Sequence, residues 1–229
     1  PGVPLNTHPI AGRAAKYAVP VIGDIELFAQ ARAGLPPHKV VGITGTNGKS
    51  TTTALTHHIL KTAGVPTTMG GNIGLPILEQ DPLPEGGVYV LELSSFQIDL
   101  TYSLDCDVAV LLNITPDHLD RYESFEDYQA SKLRLFEMQP EAGTIINLAK
   151  ESGTPGQARG DELGDKASAS VTPAYEPGSR FSSAQAQWPA LQGPHNAQNA
   201  AAAIETCRSL GLPDDAIAEA LRTYPGLPH

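Results

Sequence analysis

Residues 40–53, VVGITGTNGKSTTT, decide how the rest of the chain is read. Val40, Val41 and Ile43 make a short β-branched run of the kind that forms a buried strand. The run breaks at Gly45-Thr46-Asn47-Gly48, and Lys49-Ser50-Thr51 then opens a helical pattern. Strand, glycine loop and helix in that order are a unit of phosphate-binding type. The glycines let backbone N–H groups come close to a polyphosphate, and the first helical turn adds unpaired donors and the positive end of its dipole. In such a unit Lys49 reaches the β- and γ-phosphates and the Ser50 hydroxyl ligates Mg²⁺. The match to the common pattern, glycine, four residues, then Gly-Lys-Ser/Thr, is imperfect. Ile43 stands at the first glycine position and Gly42 lies one residue early. The alternative is an ordinary glycine turn, but such turns rarely place Gly-Lys-Ser at a helix start.

Outward from the loop, residues 49–63 put Thr52, Leu55, Ile59 and Ala63 on one helical face, and Gly64 stops the helix. Strands are predicted over 65–69, 88–93, 108–113 and 143–148, with a helix over 124–138. Strands alternating with helices predict a three-layer α/β fold of P-loop type, a mostly parallel, doubly wound sheet flanked by helices. Ligands collect at the carboxyl ends of the strands of such sheets. The loop at 45–50, Glu92 and His118 all fall there. Residues 149–192 are rich in Ala, Ser, Gly, Pro and Gln, and 170–171, 180–182 and 187–191 are expected to be weak antiparallel strands in a small irregular region. Helical patterns return at 195–210 and from 213 to about 224. At the other end, Pro1, Pro4, Pro9 and Pro20 punctuate residues 1–30, with room for a short strand at 19–22 and a short helix after it. Residues 1–32 therefore read as the tail and linker of a preceding domain, and 33–229 as the nucleotide-binding domain. The chain begins at Pro1 without an initiator Met, and is expected to be a piece of something longer.

Lys and Arg number 15 against 25 Asp and Glu, a formal charge of −10. That balance argues against a nucleic-acid surface, which needs clustered basic residues. Cys106 and Cys207 are too few and too isolated for a disulfide framework or a zinc site, which fits a reducing cytoplasm. No apolar run approaches the roughly 18 residues of a membrane span, and no signal-peptide pattern opens the chain.

Eight further residues carry chemistry or imitate it. Glu92 ends a hydrophobic strand, where a carboxylate has no packing role, and suits a Mg²⁺ ligand; a solvated strand-end acid is the alternative. Ser94 and Ser95 follow it with hydroxyls that can contact metal or substrate. His118, flanked by Asp117 and Asp120, is either a turn histidine or a metal or phosphate contact at the edge of the sheet. Lys132 shares a helical face with Phe125, Tyr128, Leu135 and Phe136. It either snorkels, with a buried stem and a wet amine, or faces the nucleotide site as a charged or modified group. Asn72, inside Gly-Gly-Asn-Ile-Gly, is a turn residue or a ligand contact, and Asn196 and Asn199 share a face at a helix start, as an N-cap or as a pair for an adenine edge.

Taken together, these segments resemble the Mur ligases, the ATP-dependent amide ligases that build the peptidoglycan stem peptide. The resemblance rests on Gly45-Thr46-Asn47-Gly48-Lys49-Ser50-Thr51, Gly70-Gly71-Asn72-Ile73-Gly74, Glu92-Leu93-Ser94-Ser95-Phe96-Gln97, His118-Leu119-Asp120-Arg121-Tyr122, Gly193-Pro194-His195-Asn196 with Asn199, and Gly226-Leu227-Pro228-His229. It is strongest to the D-glutamate-adding branch and runs in order along the chain, with 149–192 the weak part. It implies that Lys49 and the loop hold the ATP phosphates and that Ser50 and Glu92 hold a first Mg²⁺. It further implies a second Mg²⁺ on His118 and a carbamylated Lys132, contacts from Asn72 and Ser94 to the UDP-sugar substrate or its metal, and adenine contacts from Asn196 and Asn199. The implied substrates are UDP-N-acetylmuramoyl-L-alanine and D-glutamate, and the implied state is a cytoplasmic monomer. The resemblance also implies that the UDP-binding and C-terminal domains lie outside this chain, which alone is expected to bind nucleotide without making the amide bond. The competing expectations are another Mur ligase, a folylpolyglutamate synthase-like ligase, or a nucleotide-binding module with no ligase activity.

Overall fold

The computed structural model describes residues 8–118, 120–149, 170–171 and 184–227. Strand β1 (His38–Thr44) is central, and β2 (Thr67–Gly71), β3 (Gly87–Glu92), β4 (Val108–Leu111), β5 (Thr144–Asn147) and β6 (Ser170–Val171) complete a sheet of order β2-β3-β1-β4-β5-β6. Every neighbouring pair is parallel. The alternation of side chains across the sheet divides the core in two. Val41, Ile43, Val88, Val90, Val108 and Val110 face one layer of helices. These are α3 (Lys49–Thr62), α6 (Pro194–Ser209) and α7 (Asp214–Thr223). Val40, Tyr89, Leu91, Ala109 and Leu111 face the other, built with α2 (Asp24–Ala31), α4 (Ser95–Asp99) and α5 (Phe125–Glu137).

Local signals account for most helix ends. Ser124 caps α5 by accepting from the Asp127 N–H at 3.1 Å, with Glu126 and Asp127 in the first turn where the dipole favours acids. The Pro194 ring occupies the first turn of α6, where no amide hydrogen is required. The run Ala200–Ala203 is fully buried, and such small side chains let α6 lie close to α3.

Three expectations are corrected. Residues 19–22 form no strand; Pro20 removes a ladder donor, and the segment runs irregularly between α1 (Pro9–Lys16) and α2. Ser170–Val171 is parallel to β5, not antiparallel, and the intervening 148–169 is long enough for the crossover a parallel pair requires. Residues 187–191 are not a strand either. Gln185–Gln187 is one 3-10 turn, closed by the Gln185 amide on the Leu191 carbonyl and the Gln192 amide on that of Trp188. The strand expected at 180–182 lies outside the described residues. Helix α2, in the stretch read as a linker, inserts Ile25 and Phe28 into the second core, and its Glu26 is buried.

Candidate nucleotide site

The loop between β1 and α3 lies where the two helical layers meet. Gly42, which the sequence pattern placed near the loop, belongs to β1: a Cβ there would come within 2.9 Å of the Cys106 sulfur and 3.4 Å of Leu135. It serves the packing of α5 and not the loop. Gly48 is the loop glycine proper. It caps α3 with φ 85, and a Cβ on it would collide with the Asn199 side chain of α6.

With Gly48 as N-cap, the N–H groups of residues 48–51 have no acceptor within the helix, and Thr52 donates to the Gly48 carbonyl at 2.9 Å. Lys49 folds back over the loop, its Nζ donating to the carbonyls of Gly45 (3.0 Å) and Thr46 (2.9 Å). Burial lowers its pKa, opposed by the charges of Glu92 and Asp117. Lys132 arrives from the opposite layer. It is 2% exposed, its Nζ donates to the same Gly45 carbonyl at 3.0 Å, and it lies 4.7 Å from the Tyr128 ring centre. Burial, then repulsion by Lys49, pull its pKa down to about 7 against the weaker support of Asp117 and Asp99. The snorkelling alternative is thereby removed: the amine is enclosed.

Glu92 is 1% exposed at the end of β3. The Asn72 side chain donates to its Oε1 at 2.9 Å, and the Asn72 N–H donates to its backbone carbonyl at 2.9 Å. Its Oε2 is buried with no hydrogen-bond partner. An ionised carboxylate oxygen in that condition is costly unless a cation reaches it. Strand alternation puts Glu92 on the Val88 and Val90 face, the α3 side, toward the end of the sheet where Ser50 lies in the first turn of α3.

Ser94 has a structural task. It caps α4, accepting from the Gln97 N–H at 3.3 Å, while its own N–H and hydroxyl donate to Gln97 Oε1 at 3.1 and 3.0 Å. His118 sits in the left-handed region at φ 53, its ring 5.0 Å from Phe96 and 6.1 Å from Tyr128, with Nε2 3.6 Å from Asp117. Among the described residues no three His, Cys, Asp or Glu side chains come together to hold a metal ion, so Glu92 and His118 make no ready-made cage.

On the other side of the loop, Asn47, Gly48, Thr51, Asn113, His195, Asn196, Gln198 and Asn199 line a cleft of about 250 Å³. Gly193, not an asparagine, is the N-cap of α6, which leaves the Asn pair in the cleft wall. Asn196 donates to the Gln192 carbonyl at 3.1 Å and receives the Asn199 amide at 3.4 Å. Sequence reasoning missed Asn113, Gln198 and the part played by Tyr128, whose hydroxyl meets that of Thr46 at 3.1 Å. The signal available for Asn113 was its position, a polar residue just past a buried strand.

Residues 43–207 match the Mur ligase middle domain. The chain belongs to the Mur ligase family. It is 60% identical over 229 residues to the UDP-N-acetylmuramoylalanine–D-glutamate ligase of Sphingopyxis alaskensis, with all of this chain and 51% of that protein covered. The corresponding ligase of Novosphingobium aromaticivorans is 59% identical over 234 residues, with the same coverage. The chain thus spans about half the length of the curated relatives it matches. Among solved structures, MurF from Acinetobacter baumannii superposes with a TM-score of 0.60 at 20% identity, over 87% of this chain and 49% of that one. Escherichia coli FolC, in complex with DHPP and ADP, gives 0.55 at 19% identity, over 88% and 61%. At such identities the structural likeness speaks for the fold, a Mur ligase α/β domain. No helix among the described residues is long and apolar enough to cross a membrane.

Proposed function

We propose that this chain is the ATP-binding middle domain of a ligase that joins D-glutamate to UDP-N-acetylmuramoyl-L-alanine. The observation that carries the reading is the pairing of a lysine-bearing helix N-terminus, residues 48–51, with the buried, unpartnered Oε2 of Glu92. The helix end and Lys49 suit the β- and γ-phosphates, and the asparagine-lined cleft suits the adenine. In the reaction the substrate carboxylate displaces ADP from the γ-phosphorus to give an acyl phosphate. The amine of D-glutamate then attacks the acyl carbon, and phosphate leaves.

The oxygens of Ser50 and Glu92, and of Lys132 once it is carbamylated, fit Mg²⁺, a hard cation that prefers oxygen ligands, with His118 the one nitrogen donor. Ser50 and Glu92 would hold one ion, and His118 with modified Lys132 a second. Bound there, Mg²⁺ would draw charge from the transferring phosphoryl group. With its pKa near 7, enclosed Lys132 carries a large fraction of neutral amine at neutral pH. Neutral amine is the form that adds CO₂, forming an N–C bond and releasing one proton, and the resulting carbamate is a carboxylate ligand where an ammonium would repel the ion. Asn72 holds Glu92 in place, and its side chain would contact the substrate or its metal. Ser94 can offer a substrate only what its capping bonds leave free.

Two measurements test the proposal. Calorimetry of this chain should give Mg²⁺-dependent ATP binding. An assay of a protein carrying this chain within the length of its relatives should give ADP and phosphate only with UDP-N-acetylmuramoyl-L-alanine and D-glutamate together. Turnover with a folate or with another amino acid instead would overturn the substrate assignment.

A further inference from the structure

The clearest unassigned arrangement is at Asn113, two residues beyond the end of β4. The β1–β4 pairing does not stop with the strands. Past the Thr44–Leu111 pair, Leu112 donates to the Thr44 carbonyl at 3.0 Å and Thr46 donates to the Asn113 carbonyl at 2.9 Å. The next rung is made by a side chain. The Asn47 N–H donates to Asn113 Oδ1 at 2.9 Å, and Asn113 Nδ2 donates to the Asn47 carbonyl at 3.0 Å. A carboxamide sets an N–H donor beside a carbonyl acceptor in one plane, as a strand backbone does, so it can close a rung that the chain itself cannot reach.

This has a consequence for anion binding. The N–H groups of Thr46 and Asn47 are spent on Asn113, and those of residues 48–51 are left to face a phosphate. We infer that Asn113 is the positioning residue of the nucleotide loop: it holds residues 45–47 as an extension of β1, so that the chain turns at Gly48 and presents its donors there. The inference rests on the nucleotide-binding reading above. Asn113 also lines the cleft, so the same side chain fixes the distance between the phosphate end and the base end of the site. Aspartate in its place would keep the acceptor, lose the donor and set a negative charge beside the phosphates.

The test compares this chain with its Asn113→Ala, Asn113→Asp and Lys49→Ala variants, using Mg·ADP as probe. Amide hydrogen exchange without nucleotide should find the Asn47 N–H protected in the parent and fast in Asn113→Ala. Affinity for Mg·ADP should fall about tenfold or more in Asn113→Ala, as two loop hydrogen bonds are lost, and further in Asn113→Asp. Thermal midpoints without nucleotide should shift far less. An unprotected Asn47 N–H in the parent overturns the inference even if every variant misfolds. So does parental affinity in folded Asn113 variants while Lys49→Ala binds poorly. Parental affinity in Lys49→Ala would instead overturn the nucleotide site itself.

Discussion

Lys49 and Lys132, carried by helices on opposite faces of the sheet, donate to one acceptor, the carbonyl oxygen of Gly45, each at 3.0 Å. Two ammonium groups sharing a carbonyl repel each other, and that repulsion is part of what lowers the Lys132 pKa. A phosphate entering the loop gives Lys49 a better partner. Lys49→Ala should weaken Mg·ATP binding by about 1.5–3 kcal/mol, the worth of a charged hydrogen bond. Titration calorimetry giving equal affinity in both proteins would refute the assignment.

Lys132 should cost the ligand-free fold stability. Its folded pKa of about 7 lies below the ordinary 10.5. The unfolded chain therefore binds more protons between those values, and stability attributable to Lys132 rises with pH from about 7 to about 10.5. In CO₂-free buffer without Mg²⁺, Lys132→Met should be more stable than the parent by roughly 4 kcal/mol at pH 6, the size that a shift from 10.5 to about 7 corresponds to. The gap should close by about pH 10.5. Urea unfolding at pH 6, 8 and 10 measures it, and a gap that is constant across the range would contradict the enclosed amine.

Glu92→Gln should remove the metal's contribution to nucleotide binding while leaving the fold intact. Its Oε2 makes no hydrogen bond for the folded state to lose in the absence of a cation. The measurement is the ratio of ADP affinities with and without Mg²⁺, expected to drop toward one in the variant. A ratio as large as the parent's would place the ion elsewhere.

Glu26 is a structural carboxylate and should behave as one. It accepts from the N–H groups of Tyr102 (2.7 Å) and Ser103 (2.9 Å), the Ser103 hydroxyl and the Gln30 amide. Burial alone would raise its pKa, and those bonds together reverse the shift and hold it below the usual 4.5. Its stabilisation is present above that value and lost as the pH falls through the lower folded one. Glu26→Ala should cost about 2–4 kcal/mol at pH 7 in a denaturant titration. The difference from the parent should narrow in acid.

Much of this was legible in the residues. The β-branched runs of β1, β3 and β4 and the Gly-Lys-Ser start of α3 follow local rules, and they bring Lys49 and Glu92 to one edge without further help. The enclosure of Lys132 was visible as an anomaly, a cation in an apolar stripe, yet which alternative held depended on how closely α5 packs over β1. Gln198 and the Tyr128–Thr46 contact were out of reach, and Asn113 showed only as a polar residue just past a buried strand, without its pairing to Asn47. Each is defined by which strand lies beside which and by how a distant helix meets the loop, and no spacing within a single segment encodes that. Residues 19–22 and 187–191 were misread because an apolar pair beside a proline looks like a strand until its missing donor is counted.

The register of the central strands makes the site intolerant of one kind of change. Ile43 is paired with Glu92, and Thr44 with Leu111. Neighbouring strands stand about 4.8 Å apart and successive side chains alternate between faces. Deleting one residue within β3 would therefore exchange the carboxylate for a leucine on the α3 face and turn the acid into the opposite core. Apart from Gly42 and Glu92, the buried positions of these strands can drift in composition so long as they remain apolar, but the strands cannot drift in length. Insertions and deletions in this lineage should thus accumulate in the connections at the amino ends of the strands, while β1, β3 and β4 keep a fixed count of residues.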